Sequence, residues 1–253
     1  MAAPHVHVPF DKVRDYADFI RAHRLNLEIY FSSHCLDTLR SAEIQVLQSL
    51  LDHSPSLSFH GPFMDLSPGA VDSMVRKATV QRFMKVLEVA DVLRPLCIVF
   101  HSGYEKWKYA LKIEPWLSGS IETWSLVNEK ATSLGVKVAV ENIFEDDPLN
   151  LRLLVEALGS TNFGICFDTG HFNLFSRSPL EEWLKQLGPY LHELHLHDND
   201  GSADSHSPIG DGTFDFDRLF RAPMPTDLIF TIEAHSPEKV LTSLERIRKY
   251  LPL

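Results

Sequence analysis

The chain alternates short apolar segments with segments of helical period, and it does so eight times in 253 residues. The apolar segments are short and rich in Val, Ile, Leu and Phe, as buried strands are. These predicted strands lie at 5–8, 27–31, 57–60, 96–101, 136–141, 163–168, 191–198 and 228–233. Predicted helices lie between them at 11–24, 41–53, 70–93, 120–135, 149–159, 179–191 and 214–221, and a last helix is predicted at 236–251. Such alternation indicates a parallel sheet covered by helices.

The number of these units predicts a closed sheet. Eight βα units in about 250 residues match the size of an α/β, (β/α)8 TIM barrel, and no linker or internal repeat divides residues 1–253 into further domains. A doubly wound sheet is the alternative, but it needs a glycine-rich phosphate-binding turn after its first strand. The motif G-x-G-x-x-G does not occur there. We therefore expect one TIM-barrel domain.

The composition of the chain indicates which binding partners and which cellular compartment to expect. The net charge of −10 suits a protein that binds small molecules or metal, and it disfavours a nucleic-acid or membrane surface. Neither a secretory leader nor an apolar run of about 18 residues is visible in the sequence. Cys35, Cys97 and Cys166 have no paired spacing and are expected to be free thiols in a reducing compartment. We predict a cytoplasmic protein, and the sequence is compatible with a homo-oligomer.

Potential metal ligands stand at the ends of the predicted strands. Five strands end on His60, His101, Glu141, Asp168 and Glu233, and the seventh carries His195 near its end. In a parallel barrel these ends meet on one face, which is where the active site is built. Alternation places the small residues Ala139 and Cys166 on the faces of Glu141 and Asp168, as expected for a barrel interior. Imidazole and carboxylate together are ligands for zinc or manganese.

One stretch is rich in the same groups. Residues 194–212, LHLHDNDGSADSHSPIGDG, contain three histidines and four aspartates. A solvated loop would explain the aspartates, which form turns, but not the histidines. A single buried histidine is more often a hydrogen-bonded core residue, and a single strand-end carboxylate often caps a helix. Six such groups at one depth of a barrel are not explained in this way, and their unpaired carboxylates would repel one another without cations, so a metal centre with this stretch at its rim is predicted.

Seven motifs resemble those of the xylose isomerase-like TIM-barrel superfamily, which includes endonuclease IV and the sugar isomerases and epimerases related to tagatose epimerase. They are FHGPFMDL, VFHSGY, VAVENIFED, CFDTGHFN, HLHDND, DSHSPIGDG and TIEAH, and the resemblance covers essentially the whole chain. The epimerase-like members imply one divalent cation held by Glu141, Asp168, His195 and Glu233. The endonuclease IV-like members imply three zinc ions, the first bound by His60, His101 and Glu141, the second by Glu141, Asp168, His195 and Glu233, and the third by His171, Asp204 and His206.

The resemblance to the epimerases implies isomerisation or epimerisation of a small sugar, a sugar phosphate or a related hydroxy-ketone. A divalent metal would stabilise an enediolate as a Lewis acid, Glu141 and Glu233 would transfer the proton, and His171 would bind a substrate hydroxyl. Such epimerases also carry an arginine after the ligand of strand seven, whereas this chain has none between His195 and Phe214. We still favour this reaction, because the chain is acidic and its early loops are short.

The alternative is a zinc-dependent phosphodiester hydrolase of the AP endonuclease type, which the complete set of nine ligands favours. However, the segment YFSSHCLDTLRSAE at 30–43 is short and poor in arginine for a loop that contacts DNA. Phe63 and Met64 are expected to pack within their loop rather than to meet a duplex. A nucleic-acid partner is therefore disfavoured. A third interpretation, a metal-binding protein without catalysis, leaves the ligand set without a purpose.

Further substrate contacts are predicted around the centre. The segment SGYEKWKYALKIEPW at 102–116 follows strand four, and its Tyr104, Lys106, Trp107 and Lys108 are expected to meet a sugar ring or a phosphate. The alternative is a solvated lid whose aromatic residues pack on the barrel. His197 shares the face of His195 and is expected either to touch the substrate or to be a hydrogen-bonded rim residue. The sequence leaves open the metal, zinc or manganese, and the number of ions, one to three per chain.

Overall fold

Eight parallel strands form a closed barrel in the computed structural model, which describes residues 3–251. The strands are β1 (His5–Pro9), β2 (Asn26–Tyr30), β3 (Leu57–His60), β4 (Cys97–His101), β5 (Lys137–Glu141), β6 (Phe163–Asp168), β7 (Leu191–Leu196) and β8 (Ile229–Ile232). Each strand pairs with its neighbours in chain order, and β1 closes the barrel against β8. The predicted (β/α)8 TIM barrel is confirmed.

Helices connect the strands and cover the outside of the barrel. They are α1 (Ala17–His23), α2 (Ser33–Thr38), α3 (Ser41–Leu50), α4 (Ser73–Leu93), α5 (Glu114–Leu134), α6 (Leu149–Leu158), α7 (Thr169–Phe175), α8 (Leu180–Leu187), α9 (Phe216–Arg221) and α10 (Pro237–Ile247), with 3-10 turns at Phe10–Lys12 and Gly188–Tyr190. The side chains of Asp72, Asp168 and Ser236 cap α4, α7 and α10 by accepting a backbone N–H. No helix between residues 3 and 251 is both long enough and apolar enough to cross a bilayer.

The helical layer differs from the prediction in four segments. The helix predicted at 11–24 begins only at Ala17, because the chain first forms a 3-10 turn in which the Phe10 ring packs 5.3 Å from that of Phe31. Two short helices, α2 and α7, occupy segments for which no helix was predicted. The fifth helix starts at Glu114 rather than at residue 120, with Pro115 in its first turn, where the missing N–H of proline is tolerated.

Apolar side chains pack in two separate layers. A large cluster lies between the sheet and the helices, where Phe83, Phe100 and Trp124 are buried against one another. A small cluster of Cys97, Val99, Ala139 and Cys166 lies inside the barrel, as the alternation of β5 and β6 predicted. Its small side chains fill the barrel below the ends of the central strands, so the polar residues above them face the open mouth. All three cysteines of the chain are free thiols.

Candidate metal centre

The carboxyl ends of the strands meet at one mouth, where histidine and carboxylate side chains crowd together. The predicted ligands assembled there are His60, His101, Glu141, Asp168, His171, His195, Asp204, His206 and Glu233. The first four end β3 to β6, as the sequence predicted. The others come from β7, from α7 and from the segments that follow β7 and β8. They form three overlapping groups.

Glu141 lies at the centre of the cluster, within 3.6 Å of four histidines. One of its carboxylate oxygens is 3.1 Å from His60 Nε2 and 3.5 Å from His101 Nε2, while the other is 3.0 Å from His171 Nδ1. Its side chain is only 1 % exposed, so water screens these contacts little. Donor atoms of His60, His101 and Glu141 lie within 4.8 Å of one another, which is close enough for all three to ligate one ion.

His195 has one buried ring nitrogen without a hydrogen-bond partner, and that nitrogen points into a group of carboxylates. The Nδ1 atom lies 3.3 Å from Glu233, 3.6 Å from Glu141 and 3.8 Å from Asp168. An unpaired nitrogen buried among carboxylates is unfavourable unless a cation joins them. Imidazole nitrogen with carboxylate oxygen is also a donor set for zinc or manganese. The residues present therefore fit a divalent metal ion.

The third group consists of His171 in α7 and of Asp204 and His206, which lie between β7 and α9. We call the segment between these two elements the third-group loop (residues 197–215). Asp204 Oδ2 is 3.5 Å from His171 Nε2 and 3.2 Å from His206 Nε2. His206 has a φ of +43°, in the left-handed region that residues other than glycine rarely adopt. Its ring stacks on His197 with centroids 4.1 Å apart, and Lys239 Nζ donates to its carbonyl at 3.3 Å. Strained backbone of this kind is concentrated at functional sites.

The third-group loop is fastened at its base by a buried carboxylate. Asp198 accepts hydrogen bonds from the backbone N–H groups of Gly210, Gly212 and Phe214, at 3.1, 2.9 and 3.1 Å. Gly212 approaches so closely that a Cβ there would lie 2.3 Å from Asp198 Oδ1. The two ends of the loop are thus tied together, which holds its two ligands over the mouth.

Two residues of the first strands complete the mouth, and neither was predicted. Glu28 in β2 accepts hydrogen bonds from His195 Nε2 at 3.0 Å and from His7 Nδ1 at 2.7 Å, and it is fully buried. His7 Nδ1 also lies 3.2 Å from Glu233. A carboxylate that holds one imidazole nitrogen turns the other toward a metal, which explains the direction of His195 Nδ1. The signal for both residues is the alternation of polar and apolar residues in HVHV and NLEIY.

Asp168 is held by two residues that lie behind it. His197 Nε2 is 3.0 Å from Asp168 Oδ2, and the His197 ring is fully buried. It passes so close to Gly170 that a Cβ there would lie 2.0 Å from it. Asn142 bonds the backbone N–H and carbonyl of Asp168, at 2.8 and 3.1 Å. His197 Nε2 is therefore hydrogen-bonded, whereas its buried Nδ1 has no hydrogen-bond partner, and a contact with substrate stays a prediction.

Burial and mutual contact shift the pKa values of these groups. Burial lowers the pKa of His101 to about 3, although the Glu141 carboxylate opposes the shift. Burial would raise the pKa of Glu141, but His195 and His101 hold that pKa well below its usual value. Burial would lower the pKa of His171, but Asp168 and other carboxylates raise it well above its usual value. Ionised Glu141 and neutral His101 are the forms that a metal ion requires.

The segment after β4 has partners of its own. Tyr104 packs against Trp116, with ring centroids 5.1 Å apart, Lys106 pairs with Asp146, and Lys108 Nζ donates to Ser67 Oγ at 2.8 Å. The Trp107 side chain is 69 % exposed. Within residues 3–251, none of the four predicted contact residues shares a hydrogen bond, ion pair or ring contact with the nine ligands. Tyr104 is thus packed against its neighbours while Trp107 is free to meet a ligand, and the substrate contacts of this segment stay a prediction.

Phe63 and Met64 differ in their surroundings. The Phe63 ring stacks on that of His101 with centroids 4.2 Å apart and contacts His60 and Tyr30. Met64 is exposed. The packing expected for Phe63 is therefore observed, whereas Met64 projects into solvent.

A cavity of about 390 Å³ opens beside the centre, next to the ends of β1 and β8. Its inner wall includes His7, His206 and Glu233. A substrate that reaches the ligands from this side therefore meets Glu233 first, whereas Glu141 is enclosed by histidines.

A closed barrel of eight parallel strands with histidines and carboxylates at its carboxyl end defines a TIM barrel with a ligand-rich mouth. Residues 18–250 match the model of the xylose isomerase-like TIM barrel family, and the chain belongs to this family. The membership confirms the superfamily that the sequence motifs indicated.

Relatives of known structure include members of both branches that the motifs resemble. The chain is 28 % identical to the TTHB071 protein from Thermus thermophilus, whose crystal was soaked with ZnCl2, with a TM-score of 0.83 over 98 % of each chain. It is 27 % identical to a D-tagatose 3-epimerase-like protein, with a TM-score of 0.81 over 98 % of this chain and 97 % of that one. Endonuclease IV from Thermus thermophilus shares the fold at 20 % identity, with a TM-score of 0.69 over 99 % of each chain. Protein MJ1311 of Methanocaldococcus jannaschii is 30 % identical over 85 % of this chain and 77 % of its own length.

Proposed function

We propose that the chain is a divalent-metal-dependent isomerase or epimerase that acts on a small sugar, a sugar phosphate or a related hydroxy-ketone. The observation that carries the proposal is the buried, unpaired Nδ1 of His195 among the carboxylates of Glu141, Asp168 and Glu233. These four residues are the set that would hold the ion. Whole-length similarity to a D-tagatose 3-epimerase-like protein supports the proposal.

The residues of the mouth would divide the work of proton transfer. A bound divalent cation supplies Lewis-acid chemistry, which makes a hydrogen on the carbon next to a carbonyl more acidic. Glu233 is placed to take that proton, because its side chain lines the open cavity. Glu141 lies deeper, at 1 % exposure, and its carboxylate would return to the substrate a proton that it first accepts from the protonated His171 ring, 3.0 Å away. His171, at the edge of the cluster, would hold a substrate hydroxyl.

Deuterium exchange tests this chemistry even when the product is unidentified. The chain is loaded with zinc, manganese or cobalt and incubated in deuterium oxide with a panel of ketoses and ketose phosphates, and exchange is followed by NMR. We expect exchange with at least one of them and a loss of at least about 100-fold in Glu233→Gln, the range typical of general-base catalysis. Lys137→Ala is the matched control, because Lys137 pairs with Asp227 at the start of β5, away from the mouth.

A second candidate function is zinc-dependent phosphodiester hydrolysis, which the three overlapping ligand groups around Glu141 favour. Clustered ions clamp a phosphate and stabilise the leaving oxygen. Against it, only Phe31 and Ser32 lie between β2 and α2, which leaves little chain to contact a duplex. Cleavage of an abasic-site duplex that is lost in Glu141→Gln, together with no deuterium exchange in any substrate of the panel, would replace the isomerase proposal with this one.

A further inference from the structure

The cavity beside the metal centre joins two environments. At one end it is bounded by His7, His206 and Glu233, the last two of them predicted ligands. The rest of its wall is mainly apolar and includes Val6, Val8, Phe19, Ile20, Leu25 and Val240. The exposed residues Lys12 and Tyr16 lie at its edge. One continuous space therefore connects the ligands with an apolar compartment.

The cavity lies at the carboxyl end of β8, beside β1. β1 pairs with β8 at only two positions, His5 with Thr231 and Val6 with Ile232. Past Val6 the two strands are no longer joined, so the cavity reaches from Glu233 on the inner side to Val8 on the outer side. The seven-residue helix that follows β1 supplies Phe19 and Ile20 to the wall of the cavity.

The chemistry of the wall indicates what the cavity binds. Its volume of about 390 Å³ falls within the range of about 300–1,000 Å³ that is usual for small-molecule sites. Water in the apolar part would find few hydrogen-bond partners, and a ligand bearing only hydroxyl groups would leave its own polar groups unpaired there. A hydrocarbon group fits this compartment, while the ligand end suits a pair of chelating oxygens.

We infer that the substrate is amphipathic: a hydroxy-ketone or sugar derivative whose alkyl or aromatic group lies in this apolar compartment while its oxygens face Glu233. The inference rests on the proposed function, because it takes the metal centre as the place where the oxygens are held. It narrows the substrate class from free sugars to molecules with a hydrocarbon substituent. The continuity of the cavity with the ligands favours a small substrate over a peptide or a second protein.

Hydroxamates provide suitable probes, because their two oxygens chelate a divalent metal and their hydrocarbon tail can be varied. Acetohydroxamate, butanohydroxamate, hexanohydroxamate and benzohydroxamate are titrated into the zinc-loaded full chain by calorimetry. Each methylene that enters an apolar site raises affinity by about fourfold. Hexanohydroxamate has four more methylenes than acetohydroxamate, so we expect it to bind roughly 250-fold more tightly.

Two valine substitutions show where the tail lies. Val240→Phe fills the compartment and is expected to reduce the advantage of hexanohydroxamate to less than about tenfold, with the affinity for acetohydroxamate unchanged. Val92→Phe, on the exposed face of α4, is the matched control and should leave the whole series unchanged. If Val240→Phe does not fold, Val240→Ala enlarges the same compartment and should raise the affinity for benzohydroxamate relative to acetohydroxamate.

The outcomes separate this inference from the function on which it rests. Equal affinity along the series, with acetohydroxamate bound, overturns the inference and leaves the metal centre in place. Failure of every hydroxamate to bind to the zinc-loaded chain overturns the proposed function and the inference together. A dimer in sedimentation that Val240→Phe dissociates would show that a second copy of the chain fills the compartment, which also overturns the inference.

Discussion

The two ends of the barrel interior contain the same kinds of side chain but give them different partners. At the amino-terminal end, His5 Nδ1 lies 2.8 Å from Ser58 Oγ, and the hydroxyls of Ser58 and Thr231 donate to Glu193 at 3.0 and 2.5 Å. At the mouth, His195 and Glu141 face further histidines and carboxylates instead of hydroxyls. Both ends are buried, so the difference lies in the neighbours and not in exposure to water.

This difference determines which groups carry charge. At the amino-terminal end, burial lowers the pKa of His5 to about 4, and burial together with Glu28 raises the pKa of Glu193 to about 8. Both groups are therefore uncharged near neutral pH and have hydroxyl groups as partners, although Glu193 Oε2 is left without one. At the mouth the pKa of Glu141 stays well below its usual value, so its charge persists. A buried glutamate therefore suits a metal site where its neighbours keep it ionised, as they do for Glu141.

Removal of metal should cause the largest change in stability. This change should depend on the ligands at the mouth and not on the residues at the amino-terminal end of the barrel. A ligand present at 1,000 times its dissociation constant stabilises a protein by about 4 kcal/mol. For a chain of this size that corresponds to roughly 10 °C in Tm, so we expect EDTA to lower the Tm of the zinc-loaded chain by about that amount. Glu141→Gln, which removes the carboxylate shared by the ligand groups, should abolish the shift.

Ser58→Ala is the control at the other end of the barrel. It should lower the Tm with and without zinc, because His5 and Glu193 each lose a hydroxyl partner, but the difference caused by EDTA should persist. Calorimetry of the three proteins measures both effects. A parent chain whose Tm does not respond to EDTA would contradict the assignment of charge to the mouth.

The second largest effect is a pH dependence of the folding stability, which arises from His5 at the amino-terminal end of the barrel. Burial keeps His5 neutral to about pH 4, whereas in the unfolded chain it takes up a proton near pH 6.5. The unfolded state therefore binds more protons between these values, and stability falls as pH decreases from 6.5 to 4, by up to about 3 kcal/mol. His5→Gln cannot titrate and should lose less stability over this range.

Urea denaturation in EDTA at pH 7.5, 5.5 and 4.5 measures this dependence, and EDTA excludes a contribution from metal release. The neighbouring Glu28 carboxylate opposes the shift of His5 but does not reverse it. Parallel stability profiles for the parent chain and His5→Gln would show that His5 is not held neutral.

The smallest expected effect concerns Glu28, which bonds two histidines of the mouth and whose charge also acts on His5 and Glu193. Glu28 bonds both His195 and His7, so Glu28→Gln should weaken the hold on the His195 ring. Loss of such a supporting carboxylate typically lowers metal affinity 10- to 100-fold, and we expect the same for zinc measured by competition with a chelator. Glu122→Gln, at an exposed ion pair with Arg76, is the matched control. Equal zinc affinity in Glu28→Gln and the parent would assign Glu28 to the structural end of the barrel.

The fold could be predicted from the sequence because its signals are local. Apolar runs, helix caps and strand ends each depend on neighbouring residues, and His60, His101, Glu141 and Asp168 do end their strands as predicted. Membership of the xylose isomerase-like family agrees with the motifs at these positions.

The partners within the site could not be predicted in the same way. Glu28 and His195 are 167 residues apart and meet only because the barrel closes. Their side chains alternate with apolar neighbours in the same manner as His5 and Glu193, so the pattern marks interior residues without separating ligands from structural groups. The apolar cavity also has no local signal, since it arises where β1 and β8 cease to pair.

The three hydrogen bonds that Asp198 accepts at the base of the third-group loop affect how tightly the loop would bind an ion. Ordering a free backbone costs about 1–2 kcal/mol per residue, and a floppy loop would subtract that loss from its affinity for a cation. Here the hydrogen bonds from three backbone N–H groups to Asp198 order the loop when the chain folds. The two ligands of this loop are therefore already in position, and binding of an ion would have to displace only hydration water and the proton of His171.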